Sequence, residues 1–102
     1  MSKPKEIYVL SFDADKDLDE IFDYTENEFG FRQAVNYLET FEPLFNRLLH
    51  NPNLGRSRND IKVGLRSIIK EEHVVFYRIM KNHIRIVRVL HTSQDLPSFF
   101  KF

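Results

Sequence analysis

The spacing of hydrophobic residues changes near the middle of this chain, from helical steps to strand-like alternation. Ile7–Leu10 is a β-branched apolar run with the length of a buried strand. Leu18, Ile21, Phe22, Thr25 and Phe29 then recur at helical spacing with acids between them. Ser11 is placed to cap this helix, and Asp13 and Asp15 suit its positive N-terminal end. The spacing predicts a helix over 13–29, ended by Gly30, a residue free to take positive φ. Ala34, Leu38, Phe41, Phe45 and Leu48 follow in alternating steps of four and three and predict a second helix over 31–50. Pro43 lies inside it, lacks the N–H that the Glu39 carbonyl would accept, and is expected to kink the helix without ending it. A one-residue connection makes the two helices a hairpin.

Segment 51–60, NPNLGRSRND, is dense in turn formers. After it the pattern predicts strands over 65–70, 73–80 and 83–91, joined by the two-residue connections Glu71-Glu72 and Lys81-Asn82. Asn82 is the expected carrier of positive φ. Segment 92–102 has no period. The expected architecture is α+β, in the order β-α-α-β-β-β. A helical hairpin packs on one face of a four-stranded, mostly antiparallel sheet, in a single domain spanning 1–102.

A two-residue turn at 81–82 sets the register of the last hairpin. It puts His73 opposite Leu90 and close to His91, and Arg78 opposite Arg85, with Arg88 on the other face. Like charges across a ladder are destabilising, so a bulge shifts the register, both side chains splay into water, or something anionic, a partner carboxylate or phosphate, neutralises the pair. His73 and His91 have no evident third partner for a metal, and none is expected.

The 102 residues, 42% of them hydrophobic and ten of them Phe, suffice for one core. Without Cys there is no disulfide and no thiolate metal site. No apolar stretch approaches the roughly 18–20 residues of a membrane span or resembles a signal peptide, so a cytoplasmic protein without a membrane partner is expected. The formal net charge is zero, but residues 1–53 hold eleven acids and five bases, and residues 54–102 hold ten bases and four acids. The halves therefore carry −6 and +6. Such a dipolar chain suits an acidic partner on its basic half. Arg56 and Arg58, with Lys62 and Arg66 close behind, read either as a solvated loop or as a patch pairing with carboxylates or phosphates. The terminal FFKF (Phe99, Phe100 and Phe102) reads either as a cap on the core or as a docking anchor. There is no Gly-rich phosphate loop, no H-E-x-x-H and no G-x-S-x-G, and no cofactor is expected.

Five segments together carry a resemblance: DLDEIFDYTENEFG, AVNYLETFEPLFNRLLHNP, NPNLGRSRNDIKVGLRS, HVVFYRI and IRIVRVLH. In order and spacing, over residues 5–95, they resemble the ParE toxins of the RelE/ParE superfamily of type II toxin–antitoxin modules. The resemblance implies that the last strand pairs with the first. It also implies a small ParD-like antitoxin whose C-terminal segment wraps the toxin, DNA gyrase as the target of the freed toxin, and a part in plasmid stabilisation and stress response. RelE relatives instead cleave mRNA on the ribosome, with two Arg and a Tyr at positions that match Val74, Ser93 and Phe99 here. None of these three can supply the charge or the proton that RNA cleavage needs, so no catalytic residue is expected. The expected antitoxin contacts are Arg56, Arg58, Arg66, Arg78 and Arg85. The expected gyrase contacts are Phe99, Phe100, Phe102 and His91, with no direct DNA binding by the toxin alone. Two alternatives stand beside this reading: an mRNA endonuclease built from His91, Arg78 and Arg88, and a non-toxic relative that only binds its antitoxin.

Overall fold

Ser11 decides how the first strand passes into the first helix. The computed structural model, which describes residues 4–100, has β1 at Ile7–Leu10 and α1 at Phe12–Phe29. Ser11 Oγ accepts from the Ala14 N–H at 2.9 Å and caps α1, while its own hydroxyl donates to the Val87 carbonyl at 2.7 Å. Gly30, at φ 93°, then reverses the chain, and a side chain there would be strained by that φ alone.

The second expected helix is two helices. α2, Phe31–Glu39, and α3, Phe41–His50, meet at Thr40, so the break precedes Pro43 and the predicted kink at Pro43 is not found. A continuous helix would lose the bond to the Glu39 carbonyl and bring the pyrrolidine ring against it. Restarting at Phe41 places Pro43 in a first turn, where N–H groups have no intrahelical acceptor. Thr40 keeps helical backbone angles, so the apolar stripe runs on and buries Phe41, Phe45 and Leu48.

The sheet has five strands where four were expected. β3 (Arg66–Lys70), β4 (His73–Ile79) and β5 (His83–His91) are joined by the two-residue β2 (Arg56–Ser57), formed within the turn-rich loop and too short to show a period. The order is β1-β5-β4-β3-β2, with β1 parallel to β5 and the other pairs antiparallel. The positive φ belongs to Glu71 (54°) and not to Asn82. Lys70 and His73 close a two-residue turn, whereas Ile79–Ile84 is the last pair of the other hairpin and leaves it four residues in which to turn.

Near that turn the β4–β5 register is the expected one, with Arg78 opposite Arg85. Val87 is then an extra residue, so Phe76 faces Arg88, and His73 faces His91 instead of Leu90. The bulge lies where β5 loses its outer neighbour, since β1 ends at the Leu10–Ile86 pair. It also brings Arg88 onto the face of Arg78 and Arg85, correcting the expected placement.

Both faces of the sheet are covered. On one, Ala14 and Ile21 of α1 and Phe41, Phe45 and Leu48 of α3 pack on Val75, Tyr77, Ile84, Ile86 and Val89. On the other, Leu65, Val74, Phe76 and Leu90 pack with Phe100, which a 3-10 turn at Leu96–Phe100 delivers. Residues 74–77 are therefore buried without alternation, as in a central strand. Among the described residues no helix is long and apolar enough to cross a membrane.

Candidate functional site

Strand pairing sorts the arginines by face. Arg56 pairs with Ser67, Ser67 with Phe76, and Phe76 with Arg88. The Arg78–Arg85 pair lies two β4 residues further on, so it shares that face. Arg58 joins them, its guanidinium 5.7 Å from the Phe76 ring centre. Five arginines thus lie on the face away from the helices. Arg66 does not: it pairs with Tyr77 on the helix face, where Nε donates to the Gly55 carbonyl at 3.1 Å and Nη2 to the Gly55 and Asn53 carbonyls. Of the five arginines expected to meet a partner, the fold brings Arg56, Arg58, Arg78 and Arg85 together and uses Arg66 to hold a loop.

Their charges are not equally available. Arg58 donates from Nε and Nη2 to the Asp60 carboxylate at 3.2 and 3.3 Å, and that hydrogen bonding holds the Asp60 carboxyl below its usual range. Arg88 donates from Nε and Nη2 to Asp17, each at 2.8 Å, and this pairing pushes the guanidinium still higher. Arg78 donates through Nη1 and Nη2 to the Val63 carbonyl at 3.0 and 2.8 Å. The side chains of Arg56 and Arg85 are exposed and, among the described residues, make no hydrogen bond or ion pair. A groove lined by Arg56, Arg58, Ile69, Val74, Thr92 and Leu96 opens on the same side. This arrangement can grip an anionic, partly apolar segment.

A second concavity, of about 450 Å³, lies between α1 and the far end of the β4–β5 hairpin, with Glu20, Tyr24, His73, Arg88 and His91 in its walls. The rings of His73 and His91 stand edge to face, with centres 5.4 Å apart. Tyr37 Oη and His73 Nδ1 are 2.6 Å apart. Burial, reinforced by Glu71 and Glu72, pushes the Tyr37 phenol up to about 12, while burial and then His91 push the His73 imidazole down. Both shifts favour the neutral forms, so the contact joins a neutral phenol to a neutral imidazole. Lys70 Nζ sits 4.2 Å from the Tyr37 ring centre and 4.6 Å from that of Phe41, and burial lowers its ammonium. His91 Nδ1 is 2.7 Å from Ser93 Oγ, and its Nε2 is 3.6 Å from Glu72. Among the described residues no three His, Cys, Asp or Glu side chains are grouped to hold a metal ion.

Val74 is a buried residue of the second core, and Ser93 is exposed and bonded to His91. The ring of Phe99 lies 5.0 Å from the Arg88 guanidinium. The trio His91, Arg78 and Arg88 does not converge: Arg78 pairs with Arg85 near the turn and His91 pairs with His73 six residues along. Their Cα atoms are therefore separated by roughly 20 Å of strand. In the tail, Phe100 is only 7% exposed, with its ring 4.8 Å from that of Phe76, so it belongs to the core and the docking reading does not hold for it. Phe102 lies outside the described residues.

Two residues that matter were not singled out from sequence. Asp17, an acid in an acid-rich helix, is 5% exposed and also accepts from the Val89 N–H at 2.9 Å. Its position three after Ala14 and four before Ile21 was the available sign. Tyr77 is fully buried; its hydroxyl donates to the Pro52 carbonyl at 2.7 Å and accepts from the Gly55 N–H at 2.8 Å. Gly55 must stay small, because a Cβ there would stand 2.7 Å from the Tyr77 ring and 2.6 Å from the Ser67 carbonyl.

The family described as ParE toxin of type II toxin-antitoxin system, parDE, matches residues 8–96. Toxin ParE1 of Mycobacterium tuberculosis is 37% identical over 90 residues, which cover 87% of this chain and 92% of that protein. Toxin ParE1 of Caulobacter vibrioides is 34% identical over 88 residues, covering 86% and 91%. The fold is shared with a chain from the structure titled "Chromosomal ParDE TA system from P. aeruginosa", at TM-score 0.75 and 22% identity, over 88% of this chain and 98% of that one. With the match running from β1 to the beginning of the last turn, this chain belongs to the ParE toxin family of type II toxin–antitoxin systems.

Proposed function

We propose that this chain, once free of a small ParD-like antitoxin, stops replication by binding DNA gyrase, and that it acts by binding and not by catalysis. The observation that carries this reading is the state of the three positions where related nucleases hold Arg, Arg and Tyr. Val74 is buried and apolar, Ser93 is a short hydroxyl bonded to a neighbour, and Phe99 has no hydroxyl. At these three positions a phosphorane would meet no arginine and no phenol, and Arg88, beside the Phe99 ring, is already paired with Asp17. His91 and Phe99 sit at the end of the molecule from which the tail emerges, and Phe100 anchors that tail. His91, Phe99 and Phe102 are the proposed gyrase contacts, since aromatic anchors concentrate binding energy.

The antitoxin is assigned to the arginine face as an acidic segment that orders on binding. The support is Arg56, Arg58, Arg78 and Arg85 on one side of the sheet in a half-chain carrying +6. Arg56→Glu is expected to weaken the complex, most at low salt. An affinity unchanged from about 50 to 500 mM salt would count against the assignment. The toxic mechanism is tested by mixing pure protein with gyrase and supercoiled plasmid, and separately with translating ribosomes and mRNA. Loss of gyrase activity with intact mRNA is expected. Cut mRNA with gyrase unaffected overturns the reading, and a protein that touches neither is the non-toxic relative.

A further inference from the structure

Arg78 and Arg85 are direct partners on adjacent antiparallel strands, so their side chains rise together from one face. The hairpin does contain a bulge, but it lies at Val87 and leaves this pair opposed. Two like charges so placed weaken the ladder, and a neutral residue at either position would relieve it. For two other arginines of the face the protein supplies its own counter-charge, Asp60 for Arg58 and Asp17 for Arg88, and among the described residues it leaves Arg56 without one. Among the described residues Arg78 receives only a backbone carbonyl, that of Val63, which aims the guanidinium without cancelling its charge. The neighbouring loop is shaped around that guanidinium, since a Cβ on Gly64 would stand 2.8 Å from Arg78 Nη1. Arg85 is exposed and, among the described residues, unpaired.

We infer that Arg78 and Arg85 form a clamp for one Asp or Glu side chain of the antitoxin, an inference that rests on the antitoxin reading above. The flanking surface is apolar: Val63 is 79% exposed beside Arg78, and Met80 lies two residues beyond it. A carboxylate set among apolar side chains matches this surface better than a phosphate backbone does. A nucleic acid would call for a run of free cations, and here Arg58 and Arg88 are already paired in a chain of zero net charge. A guanidinium already held in place loses less freedom when it binds.

The test is Arg85→Thr, read in two ways. In the free toxin the midpoint of thermal unfolding is expected to rise by about 2 °C or more, because the opposed charge is gone. Affinity for the full-length cognate antitoxin is expected to fall by about tenfold or more. Opposite signs mark a clamp, whereas a residue needed only for folding would lower both. Arg85→Lys, which keeps the charge and loses the fork, is expected to bind with intermediate affinity. Wild-type antitoxin affinity in Arg85→Thr overturns the clamp and leaves the antitoxin reading standing. A wild-type chain that binds no antitoxin overturns both. Unchanged antitoxin binding with lost affinity for a short DNA duplex overturns it in favour of a phosphate site.

Discussion

Asp17 satisfies three donors with one carboxylate: Nε and Nη2 of Arg88 and the N–H of Val89. It does so beyond the last β1–β5 pair, so a side chain of α1 takes over the edge of β5. Asp17→Ala would leave a largely buried guanidinium and a buried N–H without acceptors. A loss of about 3–5 kcal/mol is expected in urea unfolding. Asp17→Leu combined with Arg88→Met should return most of it, because both charges then leave together. A loss below about 1 kcal/mol in the single variant would mean that water replaces the carboxylate.

At the level of elements, the junction between α2 and α3 is open to a direct check. Were Pro43 interrupting a continuous helix, Pro43→Ala would restore a bond to Glu39 and stabilise by about 3 kcal/mol. With the break at Thr40 and Pro43 in a first turn, the expected change is within about 1 kcal/mol and toward loss, because proline also restricts the unfolded chain. Denaturant unfolding of the two proteins decides between them. The apolar stripe from Ala34 to Leu48 was legible because its period is local. The break was not, because a helix that stops and restarts in register leaves that period unchanged.

Across the whole molecule, the Tyr37–His73 contact ties the helical layer to the sheet, and the burial of both groups makes stability depend on pH at both ends. His73 titrates below its ordinary 6.5 in the fold, so the unfolded chain takes up the proton first and stability falls as pH drops below 6.5. Tyr37 titrates at about 12 against an ordinary 10.0, so the unfolded chain loses its proton first and stability falls as pH rises from 10 toward 12. Lys70, held below its ordinary value, acts in the opposite sense near pH 10, and Glu71, Glu72 and His91 also face the pair. The comparison that isolates the phenol is therefore wild type against Tyr37→Phe. In denaturant unfolding across pH, the variant is expected to lose Tyr37's part of the alkaline decline and to keep the acid one.

The order of elements apart from the α2–α3 break and β2, the Ser11 cap, the Gly30 reversal and the opposition of Arg78 to Arg85 are all legible in the chain, because each depends on residues a few positions apart or on one tight turn. The arginine face is not legible in that way. Which side Arg88 occupies depends on a single extra residue at Val87, since each added residue exchanges the two faces of a strand. That bulge lies where β1 runs out, and β1 is more than seventy residues away in sequence. Distance along the chain is also why Asp17 passed for one more surface acid and why Phe100 stood open between a cap on the core and a docking anchor. Their partners, Arg88 and Phe76, stand beside them only once the sheet has formed. Local periodicity determines which residues form helices and strands, but burial and charge pairing depend on which distant backbone lies alongside, and only the folded chain supplies that.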